Sequence, residues 1–240
     1  MPDTHWPDYY AVTVDRPAWG TTVDAAERFA AEDAAREPGW ADAADGTGPT
    51  GDVLETDAAE GPGRADDAGS PRRGGGLPRL AVDLGCGAGR DTRELLRRGW
   101  RVLAVDREGA AIEAVVAATP EDDRARLESV VADLATVELP ACDLVLASVS
   151  LQFLTPAEHA AAFERITAAL RPGGRFAGLL YGDRDEAASD PAYTCPSPDA
   201  IRGYLAAFDI ESWFEREEDG KMALGDPHHI HLIEVVARRR

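Results

Sequence analysis

The chain has 240 residues, with 44 acids against 25 lysines and arginines and a formal net charge of −19. Such a surface repels phosphate backbones and anionic lipid, so neither nucleic acid nor a membrane surface is an expected partner. A hydrophobic content of 44% is enough for one sizeable core, and no apolar run approaches the roughly 20 residues of a membrane span.

The N-terminal piece, residues 1–37, carries the aromatic clusters Trp6-Pro7-Asp8-Tyr9-Tyr10 and Arg16-Pro17-Ala18-Trp19. An alanine-rich helix is predicted over Asp24–Arg36, with Val23, Ala26, Phe29 and Ala30 spaced for burial. Residues 38–78 are rich in glycine, proline and acid and nearly devoid of large apolar side chains. Too little apolar area is available there to offset ordering entropy, so the expectation is a disordered insertion. The remaining residues, 79–240, read as one domain.

That domain opens with a buried strand, Leu80–Leu84, followed by Gly85, Gly87 and Gly89 at alternate positions. Glycine there allows a sharp turn and leaves main chain bare for a ligand at the start of the next helix. The helix, Asp91–Arg98, stops at Gly99, a plausible C-cap. A second strand, Arg101–Asp106, ends in an acid 17 residues after Gly89. An acid at such a strand tip accepts hydrogen bonds from ribose hydroxyls, which indicates a nucleoside ligand without choosing among them. After a helix over Gly109–Thr119 comes a third strand, Leu127–Val131, ending in Ala132-Asp133-Leu134.

The fourth strand, Asp143–Val149, leads into Ser150-Leu151-Gln152-Phe153-Leu154, and Thr155-Pro156-Ala157-Glu158 is a capping box. Phe163, Ile166 and Leu170 mark the buried side of that helix, and His159 is expected on its exposed side. Arg171-Pro172-Gly173-Gly174 closes the helix before a strand over Arg175–Tyr181. Ser197-Pro198 opens a further helix with Ile201, Tyr204, Leu205 and Phe208 on one face. Strands over Ile210–Glu217 and Ile230–Ala237 follow, separated by a turn region Glu218–His229, and Arg238–Arg240 reads as a frayed tail. Strands alternating with helices imply a parallel sheet covered on both faces.

A dinucleotide fingerprint would need a glycine where Arg90 stands. The D-x-G-x-G-x-G pattern from Asp83, with Asp106, Asp133-Leu134 and the L-R-P-G-G run, instead resembles class I S-adenosylmethionine (SAM)-dependent methyltransferases, over Leu80–Tyr181. Within that class the small-molecule, tellurite-resistance-like branch is the nearest in character. The resemblance implies a Rossmann-like α/β fold: a seven-stranded, mostly parallel sheet with helices on both faces and an antiparallel C-terminal hairpin. It implies SAM as cofactor and a small-molecule methyl acceptor. The positions it assigns to the cofactor are Asp83, Gly85, Cys86, Gly87, Gly89, Asp106, Arg107, Asp133, Leu134, Ser148 and Gln152. The aromatic N-terminal segment looks like the cover such enzymes place over the cofactor.

An acceptor with an ionisable hydrogen would need a base, for which Tyr10, Asp183, Arg184 and His229 are the candidates. His228-His229-x-His231 lacks a partner with metal spacing, and no metal site is expected. Cys86, Cys142 and Cys195 lack metal or redox spacing, and the Met-Pro-Asp-Thr start resembles no secretory leader. A reduced, cytoplasmic protein is therefore the expectation. Two other readings stand beside methyl transfer: an NAD-dependent oxidoreductase, and a non-catalytic module that binds SAM.

Overall fold

A computed structural model of the chain describes residues 6–36 and 78–240. Seven strands form one sheet: β1 (Leu80–Leu84), β2 (Arg101–Asp106), β3 (Leu127–Val131), β4 (Cys142–Ser148), β5 (Leu170–Tyr181), β6 (Phe208–Lys221) and β7 (Pro227–Arg239). Their spatial order is β3-β2-β1-β4-β5-β7-β6. The first five run parallel, while β7 is antiparallel to both β5 and β6. This is the Rossmann-like sheet with an inserted antiparallel strand that the sequence predicts.

The helices are α1 (Trp6–Thr13), α2 (Gly20–Arg36), α3 (Arg90–Arg97), α4 (Gly109–Ala118), the single turn α5 (Glu121–Arg124), α6 (Pro156–Ala169) and α7 (Pro198–Tyr204). Strand side chains alternate between two cores, as their period of two requires. Ala81, Val102, Leu144 and Val236 pack with Phe29 and Ala26 of α2 and with Leu95 and Leu96 of α3. Val82, Leu103, Val145 and Phe176 face the other way, onto Phe163 and Ile166 of α6 and Ile201 of α7. The helix α2 is therefore a layer of this domain rather than an appendage to it.

The amino edge of the sheet is tied electrostatically. Phe29 is buried between two guanidinium groups, with Arg79 4.4 Å and Arg175 4.5 Å from its ring centroid. Arg79 also pairs with Asp33 of α2. Arg175 donates to Glu32 of α2 at 2.6 Å and to Glu211 of β6 at 2.7 Å. Stacking gives each cation a second partner besides its carboxylate.

Several predicted boundaries shift. Trp6–Thr13 is helical, because a proline in the first turn costs a helix nothing. In α2 Ala25 takes the buried place expected of Ala30, which is exposed. Residues 170–174 belong to β5 rather than to a helix terminus, and the register slips between Cys142 and Leu144 where they join. Both hairpin strands are longer than expected, leaving Met222–Asp226 as the connection. Arg238 and Arg239 lie in β7, and Arg240 pairs with Asp209, so the triplet is not a frayed tail.

His159 is the clearest reversal. It is 1% exposed, its ring 5.4 Å from Phe163 and 5.3 Å from Tyr204 of α7. Burial lowers its pKa to about 4, so it packs as a neutral ring. The predicted capping box of α6 is present: Glu158 N–H donates to Thr155 Oγ1, and the Glu158 carboxylate accepts from Thr155 N–H at 2.9 Å. Such a cap is worth about 1 kcal/mol. The predicted insertion over residues 38–78 falls, but for its last residue, outside the described residues.

Candidate functional site

A crevice of about 680 Å³ opens at the carboxyl edge of the parallel strands. Open α/β sheets place ligands there, because the strands end in loops whose backbone groups are not all used by the sheet. The floor is the turn from β1 to α3. Gly85 and Cys86 N–H both donate to Val105 O, at 2.8 and 3.0 Å, which bends the chain over β2.

The three glycines do different work. A Cβ on Gly85 would stand 2.3 Å from Ser150 Cβ, and one on Gly89 would stand 2.7 Å from Val115 Cγ2. Both positions serve close packing, and Gly89 does not line the crevice. Gly87 is different. It has φ +52°, and a Cβ there would meet only the Tyr10 ring, at 3.8 Å. Bare main chain at Gly87 thus faces the open space.

Asp106 organises the loop above β2. One carboxylate oxygen accepts from Gly87 N–H at 2.9 Å and the other from Glu108 N–H at 3.0 Å. Arg107 N–H is a third backbone donor to it, and since a carboxylate offers about four acceptor positions, capacity remains for a ligand. Burial raises its pKa, opposed by those backbone donors. Beneath it, Asp83 is buried and accepts from Thr92 Oγ1 at 2.6 Å. Burial, reinforced by the Asp91 carboxylate, lifts Asp83 to about 7. Asp91 accepts from Trp19 N–H at 2.8 Å, fastening the N-terminal segment to the first turn of α3.

Trp19 in turn lies 3.7 Å below the Arg90 guanidinium. Arg90 Nη2 and Gln152 Oε1 are buried polar atoms on crevice-lining residues, and neither has a hydrogen-bond partner among the described residues. Buried polar atoms are rarely left so, and on the wall of a crevice they are free to meet a bound group. Val149, at the end of β4, has φ +55°, strained for a β-branched residue. Strain of this kind is held at sites where geometry matters more than stability.

The roof is aromatic. Trp6 stacks on Tyr10 at 6.0 Å and meets Phe153 edge-on at 5.8 Å. Burial, then the nearby Asp106 carboxylate, pushes the Tyr10 phenol far up, so at neutral pH it is a donor and no base. Arg16 reaches across to donate to Ala223 O at the tip of the β6–β7 hairpin, 3.3 Å away.

Of the sequence-predicted site residues, Asp83, Gly85, Cys86, Gly87, Asp106, Arg107, Asp133, Leu134, Ser148, Gln152 and Tyr10 converge on this crevice. Burial raises the Cys86 thiol well above its usual range, so it stays protonated. Asp133 stands at the exposed rim, where its carboxylate accepts from Ala135 N–H at 2.8 Å. Asp183, Arg184 and His229 are turned away from the crevice. Arg184 pairs with Glu217 at 2.8 Å and with Glu215, and His229 pairs with Asp219 at 2.7 Å. The residues missed are Arg90, Trp19 and Asp185, all of which line the crevice, and within the His228-His229-x-His231 group it is His228, not His229, that does so. Strand alternation from the apolar Ile230 and Leu232 was the available signal for His228.

Residues 81–174 match the family model described as a methyltransferase domain. This stretch of the chain is therefore similar to methyltransferase domains. A carboxy-S-adenosyl-L-methionine synthase of Vibrio campbellii is 35% identical over 103 residues, covering 38% of this chain and 40% of that protein. An uncharacterized methyltransferase of Mycobacterium bovis is 35% identical over 113 residues, 45% of this chain and 42% of the relative. The matches thus span about 40% of the length of these curated relatives.

Among solved structures, TehB from Haemophilus influenzae superposes with a TM-score of 0.58 at 17% identity, over 68% of this chain and 58% of that one. A 1,6-didemethyltoxoflavin-N1-methyltransferase from Burkholderia thailandensis, solved with 1,6-didemethyltoxoflavin and S-adenosylhomocysteine, gives 0.52 at 25% identity, over 68% and 72%. The chain thus shares the fold of these methyltransferase structures, the fold expected from the glycine loop and its partner acids. No helix among the described residues is long and apolar enough to cross a membrane. No metal-binding cluster of histidine, cysteine, aspartate or glutamate occurs among them.

Proposed function

We propose that this protein transfers the methyl group of SAM to a small molecule by direct displacement. One observation carries the reading: bare main chain at Gly87 faces a crevice whose next wall is the partly uncommitted carboxylate of Asp106. SAM supplies an electrophilic methyl on a sulfonium centre.

Asp106 is suited to the two ribose hydroxyls, and Asp133 with Leu134 to the adenine edge and face. Gly87 lets the amino-acid tail of the cofactor lie against the backbone, and the unpartnered Arg90 Nη2 supplies a donor for its carboxylate. Helix α1, with Trp6 and Tyr10, covers the cofactor, and residues 79–240 with α2 form the domain beneath it. The crevice walls hold the two reactants in line and exclude water, which is most of what a displacement requires. A small molecule fits the enclosed, aromatic-roofed space, and we place the protein in the cytoplasm, where its free thiols stay reduced.

Calorimetric titration with SAM, S-adenosylhomocysteine and NAD tests the reading. Binding of the first two and not the third is expected. Tight NAD binding without SAM binding would replace methyl transfer by hydride transfer, and SAM binding without turnover on any acceptor would leave a binding module.

A further inference from the structure

The hairpin side of the crevice holds a histidine–aspartate pair that the cofactor reading leaves unused. Along β7, His228, Ile230 and Leu232 line the crevice, while His229 and His231 lie on the opposite face against Asp219 and Glu215. Asp185 follows β5, and its side chain is fully buried. One of its oxygens accepts from Ala187 N–H at 3.0 Å, the other from His231 N–H at 2.9 Å. Its remaining near contact is His228 Nε2, at 2.7 Å.

A carboxylate can only accept, so Nε2 carries the hydrogen and Nδ1 the lone pair. The carboxylate nearest Nδ1 is Glu186 at 3.6 Å, beyond hydrogen-bond reach, on a side chain that is itself exposed. An imidazole oriented in this way by a buried carboxylate is the usual arrangement of a general base. Glu186, Asp190 and Asp226 also line the crevice, but none of them is oriented by a buried partner as His228 is. Tyr181 of β5, 6.3 Å away, is held protonated by burial, as is Tyr9 of α1. Lys221 and Asp226 stand at the hairpin turn.

The neighbouring walls say what shape is accommodated. Phe153 lies 5.6 Å from Tyr193 and 5.8 Å from Trp6, giving flat aromatic surfaces. Gln152, which also lines the crevice, has a buried Oε1 with no partner among the described residues, an acceptor for a second N–H or O–H. Resting on the methyl-transfer reading, we propose that the acceptor is a flat ring bearing a hydroxyl or ring N–H, and that His228 takes its proton. The lone pair of the acceptor oxygen or nitrogen forms the bond to the methyl carbon as the carbon–sulfur bond breaks and its electrons pass to sulfur. The displaced hydrogen moves to His228 Nδ1, and Asp185, a positioning residue, stabilises the imidazolium. A thiolate acceptor would need no such group.

The test compares 2-naphthol with 2-naphthalenethiol, the same ring with oxygen or sulfur, on the wild type, His228→Gln and Asp185→Asn. Circular dichroism and S-adenosylhomocysteine binding confirm folding and an intact cofactor half in each variant. Fluorescence titration of the S-adenosylhomocysteine complex reads ring binding without turnover. We expect 2-naphthol to bind all three proteins with similar affinity. Its methylation by His228→Gln should fall about a hundredfold or more in kcat at little change in KM. The thiol should be spared, the pH–rate profile should lose its rising limb, and added imidazole should restore part of the rate to His228→Ala. A wild type that binds S-adenosylhomocysteine but neither binds nor methylates 2-naphthol overturns the proposal. So does a His228→Gln variant with the wild-type rate. Failure of the wild type to bind SAM or S-adenosylhomocysteine instead overturns the methyl-transfer reading itself.

Discussion

The two edges of the parallel sheet solve opposite problems with the same residue types. At the amino edge the two central guanidinium groups are paired, Arg79 with Asp33 and Arg175 with Glu32 and Glu211, and both lie over Phe29. At the carboxyl edge buried carboxylates crowd together, Asp83 beside Asp91 with Asp106 above them, and burial raises the pKa of all three. Arginine there stacks on Trp19 with a buried nitrogen unpartnered. Charges that match one another hold a structure shut, whereas charges left over wait for something else. The first edge stabilises, and the second is kept open at some cost in stability.

That contrast can be broken from either side. The largest effect belongs to Phe29→Ala, which removes the ring shared by two guanidinium groups and Trp100. Chemical denaturation should show a loss of about 3–5 kcal/mol, while the folded fraction binds S-adenosylhomocysteine as before. Arg175→Met follows, at about 2–3 kcal/mol, because it strands the partly shielded Glu32 and Glu211. A change in ligand affinity with either substitution would mean that the two edges are not independent.

From the other side, Asp106→Ala should weaken cofactor binding by about 1–3 kcal/mol in calorimetry, since polar partners are left unmatched. Its thermal stability should move little. The last prediction is a slope. Asp83 titrates near 7 in the folded chain, above its ordinary carboxylate range, so the folded state holds a proton that the unfolded state has released. Its contribution is complete below the unfolded pKa and is lost as pH rises from about 4 through about 7. Asp83→Asn should flatten stability against pH across that window; an unchanged slope would place the missing proton elsewhere.

Much of the carboxyl edge was legible in the sequence because its signals are local. A glycine loop after an apolar strand and an acid ending the next strand each need only a few neighbouring residues to be read. The order of elements followed, and β1, β2 and β3 begin and end at the predicted residues. What escaped depends on partners distant in the chain. His159 is buried only because α7 crosses that face of α6, and nothing in its own helix says so. The polar run Glu218–Lys221 hides the far end of β6 because that strand is an edge with an exposed face.

Candidate bases were misplaced for a related reason. His229 and His231 share a face of β7, but only the tertiary structure says that this face turns away from the crevice, with His231 buried, and that His228 faces it. The arginines of the amino edge were equally silent, since Arg79 and Asp33 are separated by the whole insertion.

The stacking of Trp19 beneath Arg90 has a practical corollary. Among the described tryptophans, Trp100 is sealed in the core and Trp213 lies under Arg202 away from the crevice, while Trp6 and Trp19 border it. Indole emission responds to the charge and water beside it, so anything that engages the guanidinium should recolour this ring. The molecule thus carries its own optical gauge of occupancy, and a Trp19→Phe control would identify which ring reports.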